Sequence, residues 1–412
     1  MGLNDTPKGE RLHIAIFGRR NVGKSSLINA ITGQELSIVS DVLGTTTDPV
    51  YKAMELLPLG PVMMVDTPGL DDEGELGILR VKKAKRVLNK ADIAIVVLDA
   101  SKTYEDMDWQ IEKELLSIIE EKKLPYLIVV NKMDLCLDIG QVSAFFEKEL
   151  SKEIDSKKVL YVSTEKKEGI EELKNKISEL VPQEEDKPLV RDLLNPSDFV
   201  VLVVPIDKAA PKGRLILPQQ QTIRDILNAN AISIVTKETE LKETLKNLGK
   251  KPKMVITDSQ VFKRVAMDTP EDIPLTSFSV LFARYKGELG QFVDGIRAIQ
   301  SLKDGDRILM AEGCTHKRQC GDIGTEKIPR WIMEFAGKEL IFETSSGNEF
   351  PEDLSPYKLI VHCGGCMLNR RDMQQRLRQA QEEKKSIVNY GILIAYMNGI
   401  LERSLAVFNS IC

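Results

Sequence analysis

The sequence predicts an α/β protein of three domains: an N-terminal domain built on a mostly parallel sheet, then a small α/β domain, then a C-terminal α/β domain. Three observations lead there. Apolar runs of strand length alternate with amphipathic stretches up to about residue 180. A polar stretch with two prolines, VPQEEDKPLV at 181–190, then interrupts the pattern and reads as a linker. Beyond it the strand pattern restarts twice, with a second break at DTPEDIP, 268–274.

Residues 12–17 (LHIAIF) read as a short buried strand, followed by GRRNVGKS and a helix over SLINAITG closed by Gly33. VMMVD (62–66), IAIVVLD (93–99), YLIVVN (126–131) and VLYVS (159–163) are further apolar strands, with amphipathic runs at 75–90 and 105–123. Continuous apolar strands alternating with helical patterns indicate a parallel sheet covered on both faces. This defines a first domain over 8–181. DFVVLVVPID (198–207) and KMVITD (253–258) read as strands, with LILPQQQTIRDILNAN and SIVTKETELKETLKNL as two helices between them. That is a second domain, 190–266, without a nucleotide motif of its own. In the third, 272–412, RILMAEGC (307–314) and YKLIVHC (357–363) read as strands running straight into cysteine. A helix starting near Arg370, a short strand at IVNYG (387–391) and a closing helix finish the chain.

Bulk properties narrow the function. The 412 residues are 29% charged and 42% apolar, as in ordinary globular proteins, with net charge −5 and pI about 5.6. No strongly basic face for nucleic acid is advertised, so no nucleic-acid partner is expected. No stretch reaches the roughly 20 apolar residues needed to span a bilayer, so no membrane association is expected. The start, MGLNDTPKGERLH, lacks a secretory apolar core, which predicts a cytoplasmic protein. In that reducing compartment the six cysteines are ligands, reactive thiols or core residues rather than disulfides.

GRRNVGKS places Gly18, Gly23, Lys24 and Ser25 in the spacing G-x-x-x-x-G-K-S/T, with Ser26 next in the helix. Glycines let backbone N–H groups turn inward around phosphate, the lysine supplies a point charge to the outer phosphates, and the serine ligates Mg2+. The loop follows a strand and opens a helix, whose N-terminal dipole favours an anion. DTPG (66–69) follows another strand, so Asp66 reaches the Mg2+ shell and the Gly69 N–H senses the γ-phosphate. GTTTD (44–48) lies between, where a switch threonine, Thr46, completes the Mg2+ ligands. NKMD brings Asn131, Lys132 and Asp134 to a strand end. Asp134 is placed to accept from guanine N1 and N2, which adenine cannot satisfy, and Ser163 and Thr164 fit a base-contacting loop. Four ordered elements on one scaffold specify binding of GTP and GDP with Mg2+, and GTP hydrolysis.

GRRNVGKSS, GTTTD, DTPG and NKMD make residues 10–180 resemble the translation-factor-like GTPases, and more closely their tRNA-modifying branch. The resemblance implies that Asn21 helps to bind K+, which replaces an arginine finger, so that Asn21, Lys24 and Thr46 act in catalysis and hydrolysis is K+-stimulated. Leu70 follows DTPG where Ras-like proteins carry a catalytic glutamine. Intrinsic turnover well below about 1 s−1 is therefore expected.

The second constellation is Cys314-x-His316 and His362-Cys363-x-x-Cys366, which uses two of the three histidines and three of the six cysteines. If the two strands leading into it are parallel, both motifs meet at one sheet edge, where open α/β sheets build their sites. Gly364 and Gly365 remove bulk from the turn, so N–H groups can face sulfide. Three cysteines suit a 4Fe-4S cluster with one exchangeable iron. The same residues suit structural Zn2+ with Cys3His ligation, and chemistry alone does not separate the two. Cys320, Cys136 and Cys412 read as bystanders, and His13 as a structural histidine of the first strand.

The order of GTPase domain, small α/β domain, Cys-x-His and His-Cys-x-x-Cys resembles one family over nearly the whole chain, the LILPQQQ stretch included: the FeFe hydrogenase maturation GTPases of the HydF type. The resemblance implies a scaffold that holds a 4Fe-4S cluster on Cys314, Cys363 and Cys366, with His316 and His362 as candidate further ligands. It implies assembly or transfer of the two-iron subcluster precursor to FeFe hydrogenase apoprotein, two radical-SAM maturases as partners, and a homodimer formed through the middle domain. The reading it displaces is a zinc-stabilised GTPase of tRNA modification or ribosome assembly.

Overall fold

The computed structural model describes residues 6–33, 48–70, 83–101, 109–136, 140, 156–181, 187–206, 215–313, 322–347 and 349–408. The chain divides into two compact units, Met1–Glu184 and Glu185–Cys412.

The first unit is a six-stranded sheet. Its strands are β1 (Leu12–Phe17), β2 (Val50–Leu56), β3 (Gly60–Asp66), β4 (Ile93–Asp99), β5 (Tyr126–Asn131) and β6 (Val159–Tyr161), in the order β2-β3-β1-β4-β5-β6. All neighbours are parallel except β2, which runs antiparallel to β3. Side chains alternate across the sheet, so each strand feeds two cores. Ile14, Ile16, Met64, Ile95 and Val129 pack on one face with Leu27, Ile28 and Ile31 of the helix Lys24–Thr32. Ala15, Phe17, Met63, Val96 and Val130 pack on the other with Leu115, Leu116 and Ile119 of the helix Gln110–Glu121. The strand β2 escapes sequence reading because it is a half-exposed edge carrying Lys52 and Glu55 between its apolar residues.

The second unit holds two four-stranded sheets, each parallel throughout. The first uses β7 (Phe199–Val203), β8 (Ile232–Thr236), β9 (Met254–Thr257) and β10 (Leu275–Ser277) in the order β10-β9-β7-β8. Its helix Leu217–Asn228 falls where the sequence predicts one. The SIVT segment expected to be helical is instead β8, and the helix after it covers only Leu241–Asn247. Isoleucine, valine and threonine at an edge favour extended backbone. The polar stretch 268–274 connects the helix Phe262–Asp268 to β10 of the same sheet, because turn chemistry and linker chemistry use the same residues.

The last sheet uses β11 (Arg307–Glu312), β12 (Ile341–Ser346), β13 (Leu359–His362) and β14 (Ser386–Asn389) in the order β12-β11-β13-β14. The strand β12 has a polar end, ETSS, and no apolar run marked it in the sequence. One apolar core runs through both sheets of this unit, joining Val200, Leu202 and Ile256 to Ile308, Met310, Ile360 and Val388 by way of Val280, Leu281 and Phe282. Arg403 fastens the C-terminal segment to the 268–274 connection, donating to the carbonyls of Thr269 (2.9 Å) and Pro270 (2.7 Å). Among the described residues, no helix is long and apolar enough to cross a membrane.

Candidate functional site

The phosphate-binding loop leaves β1 and passes so close to its neighbours that its glycines are obligatory. Gly18 has φ +150°, and a Cβ there would stand 2.5 Å from the Val97 carbonyl oxygen. Gly23 has φ +92°, and its Cβ would stand 2.3 Å from Nδ2 of Asn131. Asn21, at the tip, is itself left-handed at φ 58°, a conformation asparagine tolerates better than most residues. Lys24 is buried, and its ammonium donates to the carbonyls of Gly18 (3.0 Å) and Arg19 (2.7 Å), which hold the charge inside the loop. Arg19 forks onto buried Glu112 at 2.7 and 3.0 Å, pinning the loop's outer edge.

Ser25 Oγ donates to Asp66 Oδ2 at 2.6 Å, so the two sequence-predicted Mg2+ ligands already meet. Ser26 follows, partly buried, in the same helix. Thr67 Oγ1 donates to the Ile16 carbonyl at 2.6 Å and locks the start of DTPG against β1. Gly69 approaches the loop so closely that a Cβ would meet Arg20 Cγ at 2.3 Å. Leu70 is buried. Thr46 lies outside the described residues.

On the base side, Asn131 is fully buried and joins two elements, donating to the Val22 carbonyl (3.0 Å) and accepting from the Thr164 N–H (3.2 Å). Ser163 Oγ donates to Asp134 Oδ1 at 2.5 Å and orients that carboxylate. Lys132, left-handed at φ 66°, ion-pairs with Asp99 at 2.7 Å. Burial pushes the Asp99 carboxyl upward, but hydrogen bonds from Lys132 and Ser101 prevail and hold it below its usual value. Asp99 and Glu112 were missed in the sequence; the aspartate ending VVLD was the available signal for the first.

The second site forms at the C-terminal ends of β11 and β13. These are parallel neighbours with Ala311 opposite His362, the arrangement the sequence required. The Cys363 N–H donates to the Ala311 carbonyl at 2.9 Å, and the Cys363 sulfur accepts from the N–H of Gly313 (3.0 Å) and of Gly365 (3.4 Å). Gly365 turns the chain at φ +63° and leaves Cys366 on the same loop. Burial pushes the Cys363 thiol up, and burial together with the nearby Cys363 pushes Cys366 up to about 11. Both therefore favour the neutral thiol unless a cation supplies the opposing charge. Two sulfurs on one glycine-rich turn, one already receiving two backbone N–H groups, are a donor set that fits an iron–sulfur cluster or zinc. Gly313 immediately precedes Cys314. Cys314, His316, Cys320 and Cys412 lie outside the described residues.

His362 is fully buried and both ring nitrogens are engaged. Nδ1 lies 2.7 Å from the Cys363 carbonyl, and Arg376 Nη1 lies 3.1 Å from Nε2. A guanidinium only donates, so Nε2 is the acceptor and Nδ1 carries the proton. Burial, reinforced by the Arg376 charge, holds the imidazole pKa down to about 3, so the ring is neutral. The nitrogen a metal would need points at Arg376, and the candidate ligand role of His362 has a competitor in place. Arg376 also donates to Asp372 (3.0 Å) and the Gly347 carbonyl (2.7 Å). His13 is structural, its Nδ1 2.8 Å from the Arg11 carbonyl, and Cys136 packs against the first unit's core.

Sheet order, phosphate loop and guanine-side residues together define a P-loop GTPase domain. Residues 13–132 match the family model of the 50S ribosome-binding GTPases, 189–287 the hydrogen maturase F dimerization domain, and 290–407 the hydrogen maturase F tetramerization domain. The chain belongs to the hydrogen maturase F family, whose domains it carries in this order. Its GTPase domain is 39% identical over 134 residues to the GTPase Der of Sulfurimonas denitrificans, covering 32% of this chain and 26% of the relative. It is 34% identical over 173 residues to the tRNA modification GTPase MnmE of Clostridioides difficile, covering 42% and 35%. The chain thus spans about a quarter to a third of the length of these curated relatives. A crystal structure of Aquifex aeolicus Era bound to GDP·AlF4− aligns over 57% of this chain and 98% of that one at 20% identity, with a TM-score of 0.36. The dimerization and tetramerization domains make the chain one built to oligomerise.

Proposed function

We propose that this chain is a GTP-hydrolysing scaffold that binds a 4Fe-4S cluster through Cys314, Cys363 and Cys366 and assembles or transfers the two-iron subcluster of FeFe hydrogenase. The observation that carries the reading is the sulfur of Cys363. It accepts from Gly313, the residue before Cys314, and shares its turn with Cys366. Strand pairing thereby sets the end of β11, at Gly313, beside the Cys363–Cys366 turn, which supports this reading. The hydrogen maturase F domains support the same role. The partners of this reading are apo-hydrogenase and two radical-SAM maturases.

When bound, the cluster supplies an iron without a protein thiolate, to which an incoming two-iron unit can attach. The residues of the chain do the rest. The Gly313 and Gly365 N–H groups stabilise negative charge on Cys363, and His362 holds the Cys363 carbonyl. In the GTPase domain, Lys24 neutralises phosphate charge, Ser25, Thr46 and Asp66 hold Mg2+, and Asn21 binds K+. Leu70 leaves the attacking water without a side-chain partner at that position, consistent with slow turnover. Hydrolysis is faster in K+ than in Na+ on this reading, and equal rates for wild type in both salts would remove the Asn21 assignment.

The deciding experiment is anaerobic reconstitution with iron and sulfide, followed by EPR after reduction, beside Cys314→Ala, Cys363→Ala and Cys366→Ala. A 4Fe-4S signal lost in all three variants supports the scaffold. Tightly held zinc with no cluster replaces it with a zinc-stabilised GTPase acting on RNA.

A further inference from the structure

A buried cation lies beneath the cysteine turn. Lys286 ends the helix Phe278–Lys286 and is 1% exposed. Its ammonium donates to the carbonyl of Cys366 at 3.2 Å and of Leu368 at 2.7 Å, and lies 5.8 Å from the centre of the Phe282 ring. Burying an ammonium carries a large desolvation penalty, and an aliphatic side chain of similar length would fill the same volume without it. Three features lower that penalty. The charge sits at a helix C-terminus, where the dipole favours a cation. Two main-chain oxygens accept its protons. The third feature is chemical: the turn it holds carries Cys363 and Cys366, and thiolates holding a cluster make the neighbourhood anionic.

The placement is specific to the turn. Both carbonyls that receive Lys286 belong to 366–368, the residues closing the loop after Cys366, where Leu368 N–H also bonds back to Gly365 at 3.0 Å. On the other side, Arg376 holds the loop's first residue through His362. The turn is therefore clamped at both ends by buried cations from two different helices, and Lys286 is the one in direct contact with a cysteine's main chain.

We propose that Lys286 is a positioning residue of the sulfur site, which fixes the Cys363–Cys366 turn and raises the reduction potential of the cluster bound there. This rests on the cluster reading above. Charge near a cluster and hydrogen bonds around it set its potential. A fixed positive charge stabilises the more negative, reduced state, so removing it moves the potential downward.

The test uses the full-length protein reconstituted anaerobically, with iron and sulfide content measured and the potential read by EPR-monitored titration. The variants are K286M, K286Q and K286R, with circular dichroism reporting the fold. K286M removes charge and donor; K286Q removes the charge but keeps an N–H donor for the two carbonyls, so it survives if K286M does not fold. The expected result is a lower potential in whichever uncharged variant folds and takes up iron, with K286R at the wild-type value. A folded, cluster-loaded uncharged variant with an unchanged potential overturns the proposal. A wild-type protein that takes up no cluster instead removes the scaffold reading, so the two failures are distinct.

Discussion

Arg376 donates to Nε2 of His362 at 3.1 Å, and that contact decides what the histidine can do. It fixes the proton on Nδ1, aims it at the Cys363 carbonyl, and occupies the lone pair a metal would use. A motif histidine adjacent to Cys363 thus acts on the turn's backbone.

The first prediction follows from that geometry. In His362→Gln, the 4Fe-4S EPR signal and iron content survive reconstitution, because no ligand is removed. Loss of the cluster in this variant, with the fold intact by circular dichroism, would make His362 a ligand. Arg376→Ala has a larger structural effect, since it breaks the ion pair of Arg376 with Asp372, which is only 6% exposed. Breaking such a buried pair costs about 3–5 kcal/mol. The urea midpoint of the second unit should fall accordingly, and an unchanged midpoint would contradict the burial described.

Gly23→Ala tests the phosphate loop. A Cβ at φ +92° is strained by about 1–3 kcal/mol and would also press on Asn131 Nδ2. Because Asn131 ties the loop to Thr164, the strain reaches the base side too. Fluorescent GDP should bind at least tenfold more weakly to this variant; wild-type affinity would show that the loop relaxes freely.

Asp134→Asn tests base recognition. A carboxylate accepts from both N1–H and the N2 amino group of guanine, whereas an amide offers one acceptor and one donor. The amide instead matches the N1–H and O2 of xanthine. GTP affinity should drop by roughly 10⁴ while xanthosine triphosphate gains, as for a site whose buried polar groups lose their partner. Competition binding with the two nucleotides reads the outcome directly.

Asp99 predicts a pH dependence. Its folded-state pKa is held below the ordinary aspartate value of 3.8, so the Lys132 pair contributes stability above that value. The contribution is lost as pH falls through the lower folded value. Comparing wild type with Asp99→Asn by urea denaturation, the gap present at neutral pH should close as the medium is acidified below 3.8. A gap independent of pH would mean that the charge of Asp99 is not what the fold uses.

Much of this protein was legible from its chain because its main signals are local. The runs LHIAIF and IAIVVLD are strands wherever they find a partner, and G-x-x-x-x-G-K-S encodes a loop in its own backbone demands. Edge elements were harder. The strand β2 carries Lys52 and Glu55 among its apolar residues, β8 was absorbed into a helical reading, and β10 is three residues long. Each owes its conformation to a neighbour's hydrogen bonds rather than to its own pattern.

The sequence by itself determined the GTPase machinery and the cysteine motif, since each is a set of residue types at short, fixed spacing. Only the tertiary structure decided that the ends of β11 and β13 lie side by side and that His362 faces Arg376. The same holds for Lys286, a lysine from 80 residues away that lies under Cys366. The physical reason is distance along the chain. A buried cation or a ring tautomer is set by partners brought close by sheet and helix packing, and a linear pattern carries no record of which partners those are.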